Sequence, residues 1–171
     1  MAFSERGLVF ATGFFIGRAC LMKVRSHSAN ILLVEDNPAD ARLVRDGLKE
    51  AKSSANLTVA THGEAALEFL QKQVGSSGLP QLIVLDLNLP GRNGTEILTD
   101  IKRNEALRHI PVIIFTSSSS DQDVDRAYAC GANIYLRKPS NLDDFFALIQ
   151  SMCDLWLGFA VLPSRSRPMQ C

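Results

Sequence analysis

Three runs of apolar residues, Ile31-Leu32-Leu33-Val34, Leu82-Ile83-Val84-Leu85 and Ile110 to Phe115, carry no charged side chain, and each stops on a polar one: Glu35, Asp86 and Thr116. Runs this short and this rich in branched residues suit strands buried on both faces, the pattern of a parallel sheet covered by helices. Such a sheet needs a crossover between successive strands, and the intervening segments supply it. Asn37 can cap a helix and Pro38 suits its first turn, with Ala41, Val44 and Leu48 at helical spacing behind them. Leu57 to Thr61 is predicted as a second strand. Gly63 to Gln73 is a helix with Ala66, Leu67 and Leu70 on one face, ended by the Gly75-Ser76-Ser77-Gly78 loop.

The second half repeats the alternation. Gln81 to Leu85 is the third strand, and the loop Leu89-Pro90-Gly91-Arg92-Asn93-Gly94 leads into a helix with Ile97, Leu98 and Ile101 inward. After the fourth strand, Ile110 to Phe115, a helix from about Asp121 to Cys130 presents Val124, Ala127 and Tyr128 together, and Asn133 to Arg137 is a fifth strand. The last helix begins near Asn141 and shows Leu142, Phe145, Phe146, Ile149, Met152, Cys153 and Trp156 as one stripe. Five strands alternating with five helices make an α/β, doubly wound parallel sheet joined by right-handed crossovers.

With 171 residues, 46% of them hydrophobic, the chain can bury one core. Residues 29–163 form that domain. Residues 1–28 are expected to be an extension or a misassigned start, with Met22 a natural beginning, and residues 164–171 are too polar to pack. Leu8 to Ile16, preceded by Arg6, has the composition of a signal-peptide core, but Arg18 interrupts it. A membrane span needs roughly 20 apolar residues, so no membrane association is expected. Eighteen basic residues balance eighteen acidic ones, which leaves no field to recruit nucleic acid. Cys20, Cys130, Cys153 and Cys171 lie too far apart for a disulfide framework or a zinc site, which fits a cytoplasmic setting. His27, His62 and His109 stand singly and are assigned structural or solvated roles.

In a sheet of this kind, ligands bind beyond the carboxyl ends of the strands, where the strand order reverses. Strand one ends in Glu35 and Asp36, strand three in Asp86, strand four in Thr116 and Ser117, and strand five leads to Lys138. Carboxylates crowded together repel one another unless a cation intervenes. Magnesium suits that need, because it takes a few protein oxygens and leaves room for phosphate. Lys138 and the metal can then neutralise a transferring phosphoryl group while Thr116 positions it, and Asp86, central in the array, is the nucleophile. Each residue also has a plainer reading. Glu35 and Asp36 can merely cap the next helix, Thr116 and the serines after it can be a polar loop, and Lys138 can be a surface lysine. Only their joint placement at strand ends favours the site.

These residues carry a family resemblance. From about Ile31 to Pro163, the segments Leu33-Val34-Glu35-Asp36-Asn37-Pro38, Val84-Leu85-Asp86-Leu87-Asn88-Leu89-Pro90, Ile114-Phe115-Thr116-Ser117 and Tyr135-Leu136-Arg137-Lys138-Pro139 resemble, in order, the receiver domains of bacterial response regulators. The resemblance implies a flavodoxin-like fold of strand order 2-1-3-4-5. It implies phosphorylation of Asp86 by a sensor histidine kinase in a two-component phosphorelay. Asp36 and Asp86 would ligate magnesium directly, Glu35 through water and Asn88 through its main-chain carbonyl. Lys138 would pair with the phosphate, Thr116 would move towards it, and Tyr135 would follow by turning inward. Ser118 is a weaker candidate as a tuner of phosphoryl lifetime. A cis Lys138-Pro139 peptide is also implied. Trp156-Leu157-Gly158-Phe159 and Val161-Leu162-Pro163 resemble the extended final helix of phytochrome-associated receivers, which implies a kinase of phytochrome type and a homodimer through the last helix and the Trp156/Phe159 region.

Such a protein is a switch, not an enzyme acting on other molecules. The rival is an aspartate-dependent phosphatase of the haloacid-dehalogenase type, which resembles it in forming an aspartyl phosphate but needs a second acid two residues later, where this chain has Asn88. A nucleotide-binding domain would need a Gly-rich turn where Glu35-Asp36-Asn37-Pro38 stands. A third possibility is a receiver-like adaptor that works without phosphorylation, against which the full set of acids and Lys138 argues.

Overall fold

The computed structural model describes residues 28–163. The expectations placed on residues 1–27, including the apolar Leu8–Ile16 stretch, Cys20 and His27, and those on residues 164–171, fall outside the described residues. Five parallel strands, β1 (Asn30–Val34), β2 (Asn56–Ala60), β3 (Leu82–Leu85), β4 (Val112–Thr116) and β5 (Ile134–Arg137), form one sheet in the order β2-β1-β3-β4-β5. This is the flavodoxin-like order. The helices are α1 (Pro38–Glu50), α2 (Gly63–Gln73), α3 (Gly94–Arg103), α4 (Asp121–Ala129) and α5 (Leu142–Cys153).

Period-two alternation in the strands sorts the core into two layers. Leu32, Val34, Ile83, Leu85 and Ile114 face α2, α3 and α4, whereas Ile31, Leu33, Val84, Ile113 and Phe115 face α1 and α5. The central strands β1, β3 and β4 are therefore apolar on both sides, and the edge strands β2 and β5 are only partly buried. Side-chain caps start the helices. Asn37 accepts from the Ala39 amide, Asn93 from Thr95, Ser120 from Asp123 and Asn141 from Asp144. His62 caps α2, its Nδ1 accepting from the Ala65 amide at 3.1 Å, which gives that histidine a structural role. No helix among the described residues is long and apolar enough to cross a membrane.

Four expectations need correction. The fourth strand starts at Val112, not Ile110, because Pro111 has no N–H and contributes only its carbonyl, which accepts from Ile83 at 3.0 Å. On α4 only Ala127 is buried; Tyr128 is exposed, since α4 covers the sheet with one narrow stripe beside the edge strand β5. The last helix buries its stripe from Phe145 to Trp156 but not Leu142, which is exposed in the first turn. Asp154–Phe159 is a π-helical segment, closed by the Ala160 amide donating to the Leu155 carbonyl at 2.8 Å. Trp156 and Leu157 pack on the α1/α5 core while Leu155 and Phe159 stay exposed. The Lys138-Pro139 peptide is trans, as no cis bond occurs among the described residues; trans is the preferred state before proline by about 0.5–1 kcal/mol.

The packing of α5 also separates two cysteines. Burial, together with the Asp154 charge, pushes the Cys153 thiol up to about 11, whereas Cys130 is partly exposed. A thiolate is the reacting form, so iodoacetamide at mildly alkaline pH is expected to label Cys130 well before Cys153 in the folded protein. Peptide mapping by mass spectrometry reads the order, and equal rates would contradict this burial.

Candidate functional site

The chain order puts β1 and β3 side by side while their crossovers run to opposite sides of the sheet, so a crevice opens at their carboxyl ends. Glu35 and Asp36 follow β1 and Asp86 follows β3. Carboxylate oxygens of these three residues all lie within 4.8 Å of one another. Glu35 and Asp86 are buried, at 1% and 4% exposure, and Asp36 faces solvent. Backbone amides brace two of them: Asn37 donates to Glu35 Oε1 at 3.1 Å and Asn88 to Asp86 Oδ1 at 3.0 Å.

Lys138 reaches in from the end of β5. Its Nζ donates to Glu35 Oε2 at 2.6 Å, Asp86 Oδ2 at 2.7 Å and Asp40 Oδ2 at 2.8 Å. The ammonium also stands 5.7 Å from the centroid of the Phe115 ring. Burial works against its charge, but the bonds to Asp40, Asp86 and Glu35 outweigh it and hold the lysine above its usual range. The Glu35 carboxyl is raised too, but by burial, and Lys138 offsets only part of that. One ammonium thus bonds three acids, with Asp36 beside them.

That excess of negative charge defines what the crevice can hold. The Glu35, Asp36 and Asp86 oxygens are hard ligands, spaced closely enough for one small divalent cation, and among the described residues no imidazole or thiolate joins them. The donor set fits magnesium or manganese.

The remaining predicted residues line the same crevice. Thr116 ends β4 fully buried, its Oγ1 accepting from Asn88 Nδ2 at 3.3 Å and from the Ser118 amide at 3.4 Å. Asn88 Nδ2 also donates to Ser117 Oγ at 3.3 Å. Ser118 Oγ donates to Asp123 Oδ2 at 2.6 Å, tying this loop to α4. The half-buried Tyr135 packs against the α2–α4 side of the core, and its hydroxyl donates to the Ser118 carbonyl at 3.2 Å. Thr116 and Tyr135 are therefore linked through one residue.

Sequence reasoning placed Glu35, Asp36, Asp86, Thr116 and Lys138 at strand ends and took Asn88 from the resemblance, and the fold brings all six around one crevice. It missed Asp40. An acid in the first turn of a helix has an ordinary role opposite the helix dipole, and nothing local distinguishes Asp40 from that case.

The response regulator receiver domain family matches residues 31–150. The chain belongs to that family of signalling domains. The receiver is 43% identical over 136 residues to the response regulator Rcp1 of Synechocystis sp., covering 78% of this chain and 92% of Rcp1. Among solved structures it resembles the phosphorylated cyanobacterial phytochrome response regulator RcpA, with a TM-score of 0.76 and 34% identity over 81% of this chain and all (100%) of RcpA. It also resembles the manganese-bound form of Rcp1, with a TM-score of 0.74 and 42% identity over 80% of this chain and 99% of that one. Both similarities extend well beyond the acidic crevice to the sheet and the helices around it.

Proposed function

We propose that this receiver is the phosphoryl-accepting switch of a two-component phosphorelay, with Asp86 the acceptor and a sensor histidine kinase the donor. The observation that carries the reading is the crevice: buried Asp86 lies within 4.8 Å of Glu35 and Asp36 while Lys138 Nζ stands 2.7 Å from its Oδ2. An oxygen of the Asp86 carboxylate attacks phosphorus; the P–N bond of the phosphohistidine breaks, and its electron pair returns to the ring nitrogen. Lys138 keeps its proton and donates a hydrogen bond to the phosphoryl oxygens, and Thr116 orients one of them. Glu35, Asp36 and Asp86, with the Asn88 carbonyl, would hold magnesium, which supplies charge neutralisation to the same oxygens.

Thr116 can turn towards new phosphoryl oxygens only by releasing Asn88 and the Ser118 amide. Because Tyr135 is bonded to the Ser118 carbonyl, that rearrangement reaches β5 and the α4 and α5 surfaces beside it. The relatives named for phytochrome signalling support a kinase of that type as the partner.

The phosphatase alternative is disfavoured by Asn88. Its side chain, where the second acid of such enzymes would stand, is an amide engaged with Thr116 and Ser117 and is far too weak an acid to protonate a leaving group. Incubating the full chain with acetyl phosphate and magnesium tests the choice. A stoichiometric, hydroxylamine-sensitive adduct on the peptide containing Asp86 is expected; continuous release of phosphate without an adduct would favour the phosphatase.

The receiver is further proposed to pair with a second copy through the end of α5 and the π-helical segment. Leu155, Phe159 and Val161 expose 49%, 45% and 85% of their surfaces next to half-buried Trp156. Water contact with such a contiguous apolar strip is costly, and a twofold contact would remove it. The double substitution Leu155→Asp with Phe159→Asp is expected to leave a folded monomer in sedimentation velocity where the native chain sediments as a dimer. A dimer that survives both charges would move the interface elsewhere.

A further inference from the structure

We propose that Asp40 is a positioning residue for phosphoryl transfer, a tether that fixes the Lys138 ammonium independently of the reacting carboxylates. The inference rests on the reading of Asp86 as the phosphoryl acceptor.

An ammonium has three N–H donors, and those of Lys138 meet three carboxylates at 2.6, 2.7 and 2.8 Å. Two of these partners change during the reaction. Asp86 becomes an acyl phosphate, and Glu35 belongs to the trio of residues close enough to share a cation. Asp40 lies outside that trio. It keeps both its charge and its place whatever occupies the crevice.

The elements that carry the two residues explain why such a tether matters. Lys138 follows the edge strand β5, and its ammonium stands at the end of four rotatable bonds. Asp40 stands in the first turn of α1, whose start is stiffened by Pro38 and by the Asn37 cap and whose Ala41 amide donates to the Asn37 carbonyl at 3.0 Å. The helix therefore gives a mobile cation an anchor apart from the carboxylates that react. With Asp40 and Glu35 each holding one donor, the third N–H points at Asp86, where a phosphoryl oxygen must be met. Lacking Asp40, the ammonium has one fixed partner at most and samples orientations that miss the phosphoryl group.

Acetyl phosphate is the probe, because it bypasses the kinase. In the transfer, an Asp86 oxygen bonds to phosphorus, the bond from phosphorus to the acetyl oxygen breaks, and its electron pair leaves with acetate; Lys138 gives up no proton. With magnesium present, Asp40→Asn is expected to form the adduct about 10-fold more slowly than the native chain, and Asp40→Glu to recover most of that rate. Magnesium affinity by titration calorimetry is expected to stay within about twofold, since Asp40 is not among the cation oxygens. A cation-free readout accompanies the kinetics. The Lys138 ammonium is expected to give a slowly exchanging proton–nitrogen NMR signal in the native chain and to lose it in Asp40→Asn.

An Asp40→Asn variant labelled at the native rate, or one whose magnesium affinity falls in step with its labelling rate, would overturn the role of Asp40 while leaving Asp86 as the acceptor. A native chain that forms no adduct at Asp86 would instead sink the acceptor reading and this inference with it.

Discussion

Asp86→Asn is expected to abolish covalent phosphorylation, with intact-protein mass spectra showing no phosphoryl increment after acetyl phosphate and magnesium, under conditions where the native chain is fully labelled. An amide oxygen is a poor nucleophile and carries no charge to share with a cation, so the loss should reach the detection limit and not merely slow the reaction. Stability should not fall with it. Three carboxylates bond Lys138 and a fourth, Asp36, lies beside two of them, so neutralising Asp86 relieves repulsion while Glu35 and Asp40 keep the lysine paired. The thermal midpoint of Asp86→Asn is accordingly expected at or above that of the native chain. Residual labelling on another carboxylate of the crevice would show that the acceptor was misassigned; a lower midpoint would show that Asp86 is needed to hold the ammonium in place.

Gly94→Ala is expected to be the most damaging glycine-to-alanine change among the described residues. An added Cβ would lie 2.2 Å from the Asp86 carbonyl oxygen, 2.7 Å from Leu87 Cα and 3.0 Å from the Asp86 carbonyl carbon. All three are backbone atoms, and the Gly94 amide donates to the Leu87 carbonyl at 3.0 Å, so neither side can retreat without breaking the join between β3 and α3. Overpacking of this kind costs about 3 kcal/mol, which for a domain of this size lowers the melting temperature by roughly 6–12 °C. Because the strained atoms belong to Asp86 itself, the rate of acetyl phosphate labelling is expected to fall as well. By contrast, a Cβ on Gly63 would meet side-chain atoms of Ile97 and no backbone. A Gly94→Ala variant that melts within about 2 °C of the native chain would contradict the packing at the start of α3.

What the sequence determined was the alternation of elements and the strand ends. Continuous apolar runs such as Ile31 to Val34 and Leu82 to Leu85 are legible because a strand buried on both faces must be apolar at every position. The polar residues that stop them mark the carboxyl edge of the sheet, and so Glu35, Asp36, Asp86, Thr116 and Lys138 could be assigned to one rim without any distance. Tertiary structure decided matters that have no local signature. Asp40 and Lys138 are 98 residues apart, and only the packing of α1 beside the end of β5 turns a first-turn acid into a partner of the lysine. The bond from Asn88 to Thr116 likewise spans 28 residues and depends on β3 and β4 being neighbours. The stripe on the last helix was read correctly from Phe145 to Trp156 and wrongly at Leu142, which the first turn leaves exposed. Spacing alone does not show where a covered face begins, and it carries no signal for the π-helical winding after Cys153. Local propensity and pattern reside in the order of residues along the chain; which charge meets which is settled where distant segments converge, and there only three-dimensional packing decides.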